Sequence, residues 1–285
     1  MTHGSVPPRD TRSCFLRCVK HVAAKAVDVK TGLCSITFRH LAAEEVVELT
    51  ASAGLDAVEW GGDIHAPPGA GPAKIEEIGR MTRDAGLFVS SYGSYHRVMQ
   101  ASDHPGSFEP VLDAAQALGA PVIRVWTSGV ESAAADDAWF AATTRRVADL
   151  AAMAAERNAT VAFEFHQNTL TDTAAGVRRL IETVGMDNVR TYWQPLRGRE
   201  RIACEEEIRE LLPWLVHVHC YHWADRERLP LDSGRDVWQP LLAVLAEATF
   251  ENVVLLEFTK GDDPENMRRD AATLKDMVSA ALEDN

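Results

Sequence analysis

Cysteine is scarce in this chain. The 285 residues hold five, Cys14, Cys18, Cys34, Cys204 and Cys220. A small, odd number excludes a disulfide-built scaffold and suits a reducing, cytoplasmic compartment. Long apolar runs are also lacking. No stretch of about 18 apolar residues occurs, so neither a transmembrane helix nor a membrane partner is expected. A secretory leader is not expected either, because Arg17, Lys20 and Lys25 interrupt any apolar core near the start. Basic charge is short everywhere except in residues 1–30. There Arg9, Arg12, Arg17, Lys20, Lys25 and Lys30 face only Asp10 and Asp28, while the whole chain carries a net charge of −13. A body that acidic repels phosphate backbones and excludes nucleic acid as the main partner. The basic segment reads as a loosely attached extension. Its Cys14-x3-Cys18-x2-His21 spacing is no standard zinc pattern and has no fourth ligand nearby.

What is present, from residue 31 to 285, is one rhythm. A short β-branched run is followed by a polar turn and then by an Ala-rich stretch with apolar residues three and four apart. Strands are expected at 33–38, 56–60, 87–92, 121–126, 160–165, 189–194, 215–220 and 252–258. Helices are expected at 42–53, 72–85, 107–118, 136–157, 172–184, 203–212, 236–248 and 264–282. Gly54, Gly86, Gly119 and Gly185 stand where helices should stop. Pro110 and Pro240 stand near helix starts, where a missing N–H matters little. Strict alternation implies a parallel sheet. Eight units in about 255 residues match a single (β/α)8 barrel. A doubly wound open sheet would usually place a Gly-rich phosphate turn after its first strand, and the run SITFRHLAAEE has none.

Barrel chemistry sits at the C-terminal ends of the strands. The fifth strand ends Phe163-Glu164-Phe165-His166, the sixth Tyr192-Trp193-Gln194-Pro195, and the eighth Leu256-Glu257-Phe258. The seventh runs through VHVHCYHW, residues 216–223, with His217, His219 and His222. Side chains alternate along a strand, so Ala162 and Glu164 share a face. The same holds for Tyr192 and Gln194, His217 and His219, and Leu255 and Glu257. If that face points inward, Glu164, Gln194, His219 and Glu257 converge at the mouth. Two carboxylates, an amide and an imidazole suit one divalent cation, Mn²⁺, Mg²⁺, Co²⁺ or Zn²⁺. Glu257 follows VVLL in a strand that should be buried on both faces, and a carboxylate there needs a partner.

The motifs AVEWGGDIH, VAFEFH, VHVHCYHW and VVLLEF, in this order and spacing, make residues 31–282 resemble the xylose isomerase-like barrel superfamily. That superfamily includes sugar epimerases and isomerases, inosose and dehydroshikimate dehydratases, and endonuclease IV nucleases. The resemblance implies a metal held by Glu164, Gln194, His219 and Glu257. Gln194 stands where the family usually has Asp, so the set carries two negative charges rather than three. His217 reads as a barrel-filling residue with a hydrogen-bond partner, and His222 as a loop or substrate contact.

The resemblance further implies a metal-dependent sugar or polyol isomerase or epimerase, with Glu164 and Glu257 as the catalytic carboxylates. A dehydratase using the same base is the second expectation. A barrel that binds a small ligand without metal or catalysis is the third. The nuclease reading is disfavoured, although His65 and His96 could stand for two of its ligands. Gln194 and Arg197 sit where those relatives need Asp and His. Trp60, His65, Tyr92, Arg124, Trp126, His166, Arg197 and His222 are the expected substrate-binding residues. Trp193, Trp223 and Glu59 also fall at or just past strand ends. Arg124 and Arg197 could bind an anionic substrate group or neutralise Glu59 or Glu164. The expected partner is a small sugar or polyol, with a homo-oligomer as the expected assembly.

Overall fold

A computed structural model describes Met1 and residues 29–283, apart from 101–103, 128, 225 and 249. The extension that holds Cys14, Cys18 and His21 therefore lies outside the described residues.

Eight parallel strands close into a barrel: β1 (Lys30–Cys34), β2 (Ala57–Gly61), β3 (Phe88–Arg97), β4 (Val122–Trp126), β5 (Thr160–Phe163), β6 (Val189–Trp193), β7 (Leu215–Cys220) and β10 (Val253–Leu256). Each neighbour pairs in chain order, and β1 closes the ring on β10. Between them run α1 (Ala43–Ser52), α2 (Pro72–Asp84), α3 (Glu109–Leu118), α4 (Asp137–Glu156), α5 (Ala174–Val184), α6 (Arg201–Leu211), α7 (Arg235–Glu247) and α8 (Pro264–Glu283). This is a single (β/α)8 barrel. Asp136 caps α4 by accepting the Trp139 amide at 2.7 Å, and Thr173 caps α5 by accepting that of Gly176 at 3.0 Å. Gly119 and Gly185 close α3 and α5 in the left-handed conformation that a side chain would strain.

The core has two layers. The larger one lies between sheet and helices. The smaller one holds Cys34, Ala57, Val122, Ala162, Tyr192, Val253 and Leu255, all from strands, and fills the barrel itself. Ala162, Tyr192 and Leu255 thus point inward, which fixes the phase for Glu164, Gln194 and Glu257 two residues on.

The differences from the sequence reading are local. The first strand starts at Lys30 and stops at Cys34, and residues 35–38 form a 3-10 turn in which Ser35 Oγ accepts the Gly61 amide at 2.8 Å. The fifth and eighth strands end two residues early. Even so, the Glu164 amide still bonds to Val125 O at 3.1 Å and the Glu257 amide to Cys220 O at 3.0 Å. Pro240 sits inside α7 rather than near its start. It is tolerated because the carbonyl it leaves without a helical donor belongs to Asp236, an exposed residue of the first turn. A hairpin of β8 (His222–Ala224) and β9 (Glu227–Leu229) stands on the mouth side of β7 and was not foreseen.

Candidate active site at the barrel mouth

A cavity of about 670 Å³ opens over the C-terminal ends of the strands. Its floor holds Arg124, Glu164, Gln194 and Glu257. Its walls include Tyr95, Trp126, Tyr221, Trp223 and Phe258, and His166, Arg197 and His222 lie toward the rim. Tyr95 and Phe258 adopt positive φ, +58° and +55°. Bulky residues rarely tolerate that conformation, and it collects at functional sites. At Phe258 it turns the chain out of the strand, and the amide is caught by Thr37 Oγ1 at 3.1 Å.

His219 is fully buried at the centre. Its Nδ1 faces Glu164 Oε1 at 3.5 Å and Glu257 Oε2 at 3.6 Å, while Nε2 faces Glu59 Oε1 at 3.5 Å. Both imidazole nitrogens and Glu257 Oε2 are buried without a hydrogen-bond partner among the described residues. Buried polar atoms are rarely left so. Glu164, His219 and Glu257 can each aim one ligand atom to within 4.8 Å of the others. Spacings of 3.5–3.6 Å are loose for hydrogen bonds but suit donors arranged around one cation with bonds of about 2.1 Å. The donor set therefore fits a divalent metal on the Nδ1 side. Glu59 would then hold Nε2–H from behind, the usual outer support of a ligating histidine.

Glu164 and Glu257 differ sharply in surroundings. Glu164 accepts Arg124 Nη1 and Trp126 Nε1 on Oε2, and Gln194 Nε2 on Oε1 at 3.0 Å. Burial alone would raise its pKa, but the Arg124 guanidinium, helped by His219, holds it down at about 2. For Glu257, burial wins against the attraction of His219, and with repulsion from Glu164 its pKa is pushed up to about 7. Glu59 is buried too, yet Arg124 and His219 keep it well below the usual carboxylate range. Burial works against protonation of His219, but its neighbours Cys34, Glu257 and Glu59 raise it. The carboxylates carry that effect near neutrality, because burial pushes the Cys34 thiol up to about 12.

Gln194 meets Glu164 through its amide nitrogen, which also donates to Phe165 O at 3.0 Å. Its oxygen accepts from Tyr221 Oη at 3.4 Å. His217 lies below. Val253 N–H donates to its Nδ1 at 3.3 Å and its Nε2–H donates to Ser90 O at 3.3 Å, so it is a bonded barrel filler. Ser90 sits at a register shift between β2 and β3, which also lets Ser91 Oγ donate to Glu59 Oε2 at 2.8 Å.

Of the expected substrate contacts, Arg124, Trp126, His166, Arg197 and His222 line the cavity. Trp60, Tyr92 and His65 do not. Trp60 is buried beneath α2 with Nε1 on Thr82 Oγ1 at 3.1 Å, and Tyr92 Oη donates to Ala66 O at 2.8 Å. Alternation explains both: their neighbours Glu59 and Ser91 take the inward face. His65 is buried between Ser35 Oγ at 3.1 Å and Leu41 O at 3.2 Å. Trp193 points outward for the same reason and donates to Glu207 Oε2 at 3.2 Å. The sequence reading missed Cys34, Tyr95, Tyr221 and Phe258. The last two adjoin residues already singled out, which was the only available signal. Tyr95 lies within a register break between Gly93 and Arg97 that sequence does not announce.

A family model described as xylose isomerase-like TIM barrel matches residues 47–277. The chain belongs to that family. No curated protein matches the chain by sequence. Among solved structures, the probable 3-DHS dehydratase AsbF from Bacillus anthracis superposes with a TM-score of 0.76 at 19% identity, covering 87% of this chain and 99% of the other. An L-ribulose 3-epimerase gives 0.69 at 15%, covering 90% and 97%. A xylose isomerase-like TIM barrel protein from Mycobacterium smegmatis in complex with magnesium also gives 0.69 at 15%, covering 91% and 99%. At these identities the likeness is one of fold. Among the described residues, no helix of this family member is long and apolar enough to cross a membrane.

Proposed function

We propose that this barrel is a divalent-metal-dependent isomerase of sugars or polyols that works through a single proton-transfer carboxylate, Glu257. The observation that carries the reading is the contrast between two buried glutamates that face one imidazole nitrogen. Glu164 takes three donors, whereas Glu257 Oε2 takes none among the described residues.

Glu164, His219 and Glu257 would hold the metal, with Gln194 able to join only by turning its amide. A bound divalent ion would supply Lewis-acid polarisation of a substrate carbonyl or hydroxyl. The rest falls to the chain. Trp126, Trp223, Tyr95 and Phe258 form apolar walls for the C–H faces of a polyol. Glu257, whose Oε2 takes no donor among the described residues, takes the proton from the carbon next to the carbonyl. The C–H electron pair moves into the C–C bond and the carbonyl pair moves onto oxygen. The hydroxyl proton on the first carbon passes to that oxygen, and Glu257 returns its proton to the former carbonyl carbon as the new carbonyl forms. Arg124, Trp126 and Gln194 hold Glu164 ionised and immobile.

The same asymmetry favours one alternative. An epimerase that passes a proton between opposite faces needs two free proton-transfer groups, and Glu164 is tied. A dehydratase needs one base and a leaving hydroxyl, which this site accommodates. The test is incubation with ketoses, inososes and ring ketones in D₂O, followed by NMR. Deuterium entering one carbon of a ketose as aldose forms supports the isomerase. Loss of water with a new ultraviolet-absorbing enone moves the dehydratase to first place. The absence of both, in protein shown to hold metal, counts against catalysis of either kind.

A further inference from the structure

The cavity reverses the charge balance of the chain around it. The protein carries a net charge of −13. Yet four arginines line the cavity, Arg39, Arg124, Arg197 and Arg199, against two carboxylates, Glu164 and Glu257. Apolar walls such as Trp223 and Phe258 lower the local dielectric and focus the field of these charges. A lining with more cations than anions favours an anionic ligand.

Three of the four guanidiniums are already committed. Arg39 Nε donates to Asp63 Oδ2. Arg124 donates to Glu59 and Glu164. Arg199 Nε lies 3.2 Å from Glu207 Oε1. Arg197 is the exception among the described residues: it is exposed, it lines the cavity, and no carboxylate holds it. Its place is fixed by the backbone. Leu196 O accepts the Arg199 amide at 3.1 Å, which closes a four-residue turn with Arg197 and Gly198 at its tip. Gly198 has φ +76°, the value such a turn needs and a side chain would strain. Tyr221 Oη donates to Pro195 O at 2.8 Å on one side of the turn. On the other side Glu207, the partner of Arg199, also accepts Trp193 Nε1 at 3.2 Å. The turn therefore carries Arg197 on an anchored backbone, three residues beyond Gln194 and over the same cavity.

We propose that Arg197 receives a carboxylate of the substrate, so that the substrates are polyhydroxy acids rather than neutral sugars. This rests on reading the cavity as the substrate site, and it narrows the substrate class. A guanidinium and a carboxylate are both planar and pair through two parallel N–H···O bonds. One uncommitted guanidinium matches one such group. A phosphate dianion calls for more donors, and Glu200, the N-cap of α6, adds an opposing charge next to the turn.

D-gluconate, D-glucitol and D-glucitol 6-phosphate share a six-carbon polyol chain and differ in the end group. Binding of each is measured by calorimetry to the full chain as wild type, Arg197→Gln and Arg197→Lys, with thermal melting and metal content recorded. Wild type should bind gluconate at least tenfold more tightly than glucitol. Arg197→Gln should bring the two within twofold of each other at an unchanged melting temperature, and Arg197→Lys, which keeps the charge but not the fork, should retain part of the preference. Gluconate binding by Arg197→Gln within twofold of wild type overturns the proposal, because the carboxylate is then held elsewhere. Tighter binding of the phosphate than of gluconate, lost in Arg197→Gln, overturns the assigned class in favour of phosphates. Absence of gluconate binding to wild type at millimolar concentration overturns it as well. The isomerase reading fails separately, as protein that binds gluconate through Arg197 but exchanges no deuterium with neutral or acidic ketoses in D₂O.

Discussion

Gln194 turns its amide nitrogen, not its oxygen, toward Glu164, donating to Oε1 at 3.0 Å. In a site built from acidic groups, this neutral residue acts as a bracket on a carboxylate. Gln194→Asp would place a second negative charge against Glu164 and leave the Phe165 carbonyl without its donor. The metal-free protein should lose about 1–3 kcal/mol, read by denaturant midpoint. Added Mn²⁺ should recover more stability in the variant than in wild type, because the extra charge strengthens the site. Equal recovery in both would show that residue 194 lies outside the ion's reach.

The two glutamates should separate under substitution. Glu257→Gln removes the proton-transfer group and should lower turnover by about 10²–10⁴ without lowering the metal-free melting temperature. Glu164→Gln removes the partner of a buried arginine and should destabilise by about 3–5 kcal/mol. Guanidinium unfolding of both variants checks this order, and the reverse order would falsify the assignment of roles.

His219 places both nitrogens among carboxylates. If Nδ1 holds a metal, excess Mn²⁺ at a hundredfold over its Kd should stabilise wild type by about 2.7 kcal/mol. Chelator should reverse the gain, and His219→Ala should abolish it. Scanning calorimetry with and without the ion decides the matter, since an unchanged wild-type transition leaves no room for the site.

Asp270 on α8 offers a pH test away from the cavity. Burial raises its pKa, although the Leu231 amide, donating to Oδ1 at 2.8 Å, works against that. Because the folded state then binds its proton more tightly than the unfolded state, the ionised carboxylate carries a cost at neutral pH. That cost fades as pH falls through the raised pKa toward the ordinary aspartate value of 3.8. Asp270→Asn keeps the acceptor without the charge. Its stability advantage at pH 7 should shrink on acidification and vanish near pH 4, as urea titrations across this range would show. A pH-independent difference would exclude burial of the charge as the cause.

The eight-fold alternation of short β-branched runs and amphipathic stretches determined the barrel, because strand and helix periods are local properties of the chain. Strict alternation along each strand also determined that Glu164, Gln194, His219 and Glu257 share the inward phase. The same rule, applied one residue on, could have placed Trp60, Tyr92 and Trp193 outside the cavity. Other features belong to the tertiary structure alone. The sequence left Arg124 open between an anionic substrate group and Glu59 or Glu164, and only closure of the sheet decided that it meets both carboxylates, across 65 and 40 residues of sequence. The backbone turns at Tyr95 and Phe258 depend on contacts from other strands. Likewise, which glutamate is tied and which is free follows from how Arg124, Trp126 and Gln194 converge once the barrel closes. Sequence set the types of groups at the mouth, and only closure of the sheet decided their partners and hence their charges.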